Sequence, residues 1–178
     1  MGIVGTLLVL FMMIHLMWGA TYITNVKVKS KMDTILRGSI IGFIATIPYI
    51  MVSWVLYMLG ISPSTVIHYG AILITSPGTA ITTLTLLLGL LAVTISGTFM
   101  GNILAFLLNW TGSDYALLKS TGLGVVLWIV HSKVLPSLIE PKLFKVLPPS
   151  MVLQALIVAG IWGIVAGYSY LSLEKRSN

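Results

Sequence analysis

His15, His68 and His131, with Asp33, Asp114, Glu140 and Glu174, are the side chains best suited to acid–base or metal chemistry, and their spacing favours neither. General acid–base catalysis needs such groups within hydrogen-bond reach of one another and of a substrate. All four carboxylates instead fall in loops, at boundaries or in the tail of a chain made mostly of apolar runs. His15 sits in the segment Met-Met-Ile-His-Leu-Met, whose thioethers and imidazole are ligands of the kind copper takes. On a helix, at about 100° per residue, Met12, Met13, His15 and Met17 spread around the axis and cannot converge on one ion. A haem held between His15 and His131 fails on depth, since the two lie roughly 18 and 10 Å from the same membrane boundary at about 1.5 Å rise per residue. His68 falls in a connection and reads as solvated or interfacial. With no cysteine, the chain has no thiolate metal site, iron–sulfur cluster or disulfide.

Two polar groupings are candidates for a pocket or pathway. In the first, Thr94, Thr98 and Asn102 recur at four-residue spacing, giving one helix a small polar stripe. In the second, His131 and Lys133 precede Pro136, which frees the Ser132 carbonyl from its helical hydrogen bond and leaves an acceptor beside them. That pocket could receive an anion or a lipid head group; the plainer alternative is a boundary ion pair of Lys133 with Glu140 while Lys133 snorkels outward. Pro48 offers the same choice between a tolerated kink and a hinge.

The elements that would position these groups are apolar. Mean hydropathy is +1.04, 57% of residues are hydrophobic and 8% charged. Lipid admits only helices or closed barrels, and continuous apolar runs of this length select helices. The expected fold is all-α, a polytopic transmembrane bundle forming a single domain over 1–178, with about five helices at 2–24, 38–60, 83–109, 115–139 and 150–171. No basic residue precedes the first run, which reads as a retained helix and not a cleaved signal. Residues 61–82 carry turn signals around a short apolar stretch, 71–74, and read as an outer connection with a short interfacial helix or a re-entrant segment.

Small residues predict how the helices meet. Gly38 and Gly42 open the second span, Gly97 and Gly101 run along the third, and Ala155, Ala159, Gly163 and Gly167 recur along the fifth. Lipid tails provide no hydrophobic drive between helices, so close backbone approach must hold them together. Charge predicts orientation. Lys27, Lys29, Lys31, Arg37, Lys119, Lys175 and Arg176 fall on one side of a five-span layout, and Lys133, Lys142 and Lys145 on the other. The excess places the N-terminus outside and the C-terminus in the cytoplasm.

From Arg37 onward, the segments RGSIIGF, LGISPS, DYALLKSTGLGVVLWIV, VLPSL and IWGIVAGYS occur in an order that resembles a family of small polytopic membrane proteins of Gram-positive, often spore-forming bacteria. The resemblance covers about three quarters of the chain and leaves out the leading helix with His15. It implies the helical layout and a bacterial cytoplasmic membrane, and it transfers no functional residue. The expected function is that of a non-enzymatic accessory or scaffolding subunit of a larger membrane assembly, without cofactor or metal. Its expected partners are the lipid bilayer and other membrane subunits or copies of itself, not nucleic acid. A small oligomeric carrier or channel is the alternative, and a haem-binding redox subunit a further one.

Overall fold

A computed structural model describes residues 33–75, 80–130 and 149–177. Among them are five helices and no strand: α1 Thr34–Met58, α2 Val66–Ile74, α3 Thr83–Thr111, α4 Ala116–Ile129 and α5 Pro149–Ser177. Three are long and apolar enough to cross a membrane: α1, α3 and the 27 residues of α5 from Pro149 to Lys175. At about 1.5 Å per residue each exceeds the roughly 30 Å of a bilayer's hydrocarbon core. The expected 2–24 helix and the end of the 115–139 helix lie outside the described residues.

The helix ends differ from expectation for local reasons. α1 begins at Thr34, a turn before Gly38, so Arg37 is helical and its N–H bonds the Asp33 carbonyl. It ends before Gly60, whose φ of 70° reverses the chain at a value glycine adopts freely. α5 continues past Leu171 to Ser177, because Leu, Glu, Lys and Arg favour helix in water as well as in lipid. α3 starts at a reciprocal cap: Thr82 Oγ1 accepts the Thr85 N–H at 3.3 Å, and Thr85 Oγ1 accepts the Thr82 N–H at 2.8 Å.

In the packing, α1 lies against both α3 and α5, α4 lies against α5, and α2 lies against α3. Two apolar clusters divide the interior. One joins Ile50 and Trp54 of α1 to Ile67, Leu86, Leu90 and Val158. The other joins Ile41 and Ala45 to Leu104, Leu108, Trp162, Ala166 and Tyr170. Large apolar side chains are just as prominent outside: Leu84, Leu91, Ile95, Phe99, Phe106 and Trp110 are exposed along a single helix, α3. In water such a stripe would be a liability. On a helix long enough to span a bilayer it is a surface suited to lipid.

α2 falls within the segment expected to hold a short interfacial helix or to re-enter, and it is seated in the bundle. The apolar stretch 71–74 is only the last half of a nine-residue helix, and Val66, Ile67, Gly70 and Ala71 of that helix are buried. A Cβ on Gly89 would stand 2.7 Å from the Ala71 nitrogen, so α2 is seated on α3 at backbone contact. Nine residues reach only about 13 Å, so α2 enters the bundle without crossing it.

Candidate functional site

The stripe of small residues on α3 meets the one on α1. A Cβ on Gly38 would lie 2.6 Å from Asn102 Cα and 2.8 Å from the Gly101 carbonyl oxygen. One on Gly42 would lie 2.8 Å from Thr98 Cα, and Gly97 faces the Thr46 side chain. Across α4 and α5, a Cβ on Gly163 would meet the Ser120 carbonyl oxygen at 2.6 Å, and one on Gly124 would meet that of Ala159 at 2.6 Å. Gly167 approaches Ala116 and Leu117. Ala155 and Ala159 line the cavity described below.

The candidate polar row is distributed among these contacts. Thr94 Oγ1 donates to the Leu90 carbonyl and Thr98 Oγ1 to the Thr94 carbonyl, each at 2.8 Å. Both hydroxyls are therefore engaged with their own helix. Asn102 Oδ1 accepts from Ser39 Oγ at 3.2 Å, tying α3 to α1. None of the three borders the interior cavity. His131 and Lys133 lie outside the described residues.

A buried polar knot is centred on Gln154, the chain's single glutamine. Its Nε2 donates to Ser53 Oγ at 2.8 Å and to the Ser53 carbonyl at 3.2 Å, and its Oε1 accepts from Ser62 Oγ. Ser53 Oγ in turn accepts the Val66 N–H at 2.9 Å, satisfying one of the donors left open at the start of α2. One side chain of α5 thus joins the end of α1, the following turn and the start of α2. A glutamine within Met-Val-Leu-Gln-Ala-Leu-Ile was the sequence signal for it.

Beside this knot lies a cavity of about 220 Å³ to which all five helices contribute. Its wall includes Thr46 and Tyr49 of α1, Tyr69 of α2, Ser96 and Met100 of α3, Trp128 of α4, and Gln154 and Trp162 of α5. No Asp, Glu, Lys, Arg or His is among its described lining residues.

His68 caps the helix that closes one side of the site. Its N–H donates to Thr65 Oγ1 at 3.3 Å, while its Nδ1 accepts the Thr65 N–H at 3.2 Å and lies 2.8 Å from Thr65 Oγ1. The ring also rests on Tyr57, with centroids 5.6 Å apart. Burial lowers the imidazole pKa from its usual 6.5. The neutral ring is thus the form the fold favours, so the cap is complete above about pH 6.5 and is lost as pH falls through the lowered value. We expect acidification from pH 7 to pH 5 to lower thermal stability in detergent. His68→Gln, which keeps an acceptor but does not titrate, should flatten that dependence; an unchanged slope would remove His68 as its source.

Among the described residues, charge gathers at the opposite end of the bundle. Between Arg37 and Asp114 there is no Asp, Glu, Lys or Arg, nor is there any between Ser150 and Leu173. Asp33, Arg37, Asp114, Lys119, Glu174 and Lys175 therefore all belong to the end where α1 and α4 begin and α3 and α5 finish. Arg37 lies 5.7 Å from the Tyr170 ring centroid, and Asn109 bridges Thr34 Oγ1 and the Tyr170 hydroxyl at 2.7 and 2.9 Å. Lys119 Nζ donates to the Thr111 and Gly112 carbonyls, closing the C-terminus of α3.

The chain matches no protein-family model, no curated protein and no solved structure.

Proposed function

We propose that the chain is a multi-pass integral protein of a bacterial cell membrane, acting without catalysis as an accessory or scaffolding subunit that binds other membrane helices. The charged end of the described helices faces the cytoplasm, in line with the positive-inside rule, and the N-terminus lies outside. The observation that carries the assembly role is a contrast among glycines. Those between α1 and α3, and between α4 and α5, are at backbone contact, whereas Gly122 of α4 and Gly160 of α5 have no described residue within 4 Å of where a Cβ would stand. A mid-helix glycine costs up to about 1 kcal/mol relative to alanine. The packing among the described helices does not need these two, but the close approach of another helix would.

The test is Gly122→Leu with Gly160→Leu. Thermal stability in detergent should hold or rise, because leucine is the better helix former. Stoichiometric co-purification of membrane partners, or of a tagged second copy, should drop at least about tenfold, as expected when a close helix interface is blocked. Undiminished co-purification from native membranes would reject the assembly role.

A further inference from the structure

We propose that the cavity between the five helices is a binding site for a small, neutral, planar aromatic molecule that carries a carbonyl oxygen. This is independent of the assembly role above, since neither Gly122 nor Gly160 lines the cavity. Size comes first. A buried apolar cavity of about 150 Å³ holds benzene, so the roughly 220 Å³ here suits two fused rings. Charge comes second: with no ionisable side chain of Asp, Glu, Lys, Arg or His among the described lining residues, a charged ligand would lose its hydration without a counter-ion.

The wall then narrows the chemistry. Tyr49, Trp128 and Trp162 offer ring faces and edges, and Met100 offers an adaptable, polarisable side chain. Among the polar groups left over, one can only donate. Trp162 is buried and its indole N–H, which can only donate, has no hydrogen-bond partner. Ser96 and Tyr49 line the same space, and their hydroxyls, which can donate or accept, make no hydrogen bond to a described residue. A buried unpaired donor is costly, and an acceptor oxygen on the ligand relieves it. A purely hydrocarbon guest would leave these groups unanswered.

The full chain, purified in a fixed concentration of detergent, is titrated with 1,4-naphthoquinone and, in parallel, with naphthalene, following tryptophan quenching and equilibrium dialysis. The chain has no thiol for the quinone to alkylate. We expect saturable binding of one naphthoquinone per chain, with naphthalene at least about tenfold weaker, the usual worth of a hydrogen bond in a dry site. Trp162→Phe should erase most of that preference by weakening naphthoquinone alone, and Ser96→Phe should fill the space and abolish both. Should Ser96→Phe fail to fold, the selective loss in Trp162→Phe still decides the matter. Non-saturating uptake that is equal in wild type and variants, or naphthalene binding as tightly as naphthoquinone, overturns the proposal.

Discussion

Gly101→Leu is expected to separate α1 from α3 and cost at least about 3 kcal/mol, the upper range for overpacking an interior. The reason lies in what a Cβ would meet. Its nearest neighbours are the Gly38 carbonyl oxygen and the nitrogen and Cα of Gly42, all backbone atoms. No rotamer change can relieve that clash, so the helices themselves must move apart, and the Ser39–Asn102 hydrogen bond goes with them. Even Gly101→Ala should be measurable. Ile95→Ala, two-thirds exposed on the other side of α3, is the matched control and should change stability by less than about 0.5 kcal/mol. Thermal unfolding in detergent separates the two outcomes, and equal effects would mean that the glycine contact is not what holds α1 on α3.

Gln154→Leu should be the most damaging change of a polar side chain. It keeps the volume, but removes the donor to Ser53 and the acceptor for Ser62, both of which are buried. A single interhelical hydrogen bond in a membrane protein contributes about 0.6 kcal/mol on average. Here one side chain serves two serines, one of which also caps α2, so a loss of about 2 kcal/mol is expected. The loss should be local. Amide exchange should quicken in α2, beginning at Val66, while the α1–α3 contact around Gly42 stays protected. In a double-mutant cycle with Ser53→Ala the effects should be less than additive by about 1 kcal/mol. Full additivity would show that the two side chains act separately.

The three helices long enough to cross a membrane were legible because lipid demands long uninterrupted apolar runs, and little else produces them. The four-residue spacing of Gly97 with Gly101, and of Gly38 with Gly42, was equally plain. What spacing cannot say is which stripe meets which. Gly160 and Gly163 stand three residues apart on one helix, yet only Gly163 is at backbone contact with α4. That difference is set by the rotation of α5 against its neighbours, a tertiary quantity. α2 was legible in part: turn signals around a short apolar stretch marked a short helix or re-entrant segment, but not the Ser53 hydroxyl that accepts its first N–H, which only the tertiary fold brings there. The polar row of Thr94 and Thr98 suggested a pathway because its spacing aligns the hydroxyls; their bonds to carbonyls four residues back are equally compatible with that spacing. The cavity left no linear trace at all, since its wall draws residues from every helix.

The central claim is that glycine-faced helices touch each other within the membrane, and a chain without cysteine allows it to be tested cleanly. Ser39→Cys and Asn102→Cys, whose native side chains are 3.2 Å apart, would be introduced together with a protease site in the 76–79 connection. Membrane vesicles would then be oxidised, cleaved and run on a non-reducing gel. The two fragments should stay joined for the 39–102 pair and fall apart for Ser39→Cys with Phe99→Cys, whose second position faces outward. Free fragments from the 39–102 pair, or recovery of the protein in the soluble fraction, would contradict the account.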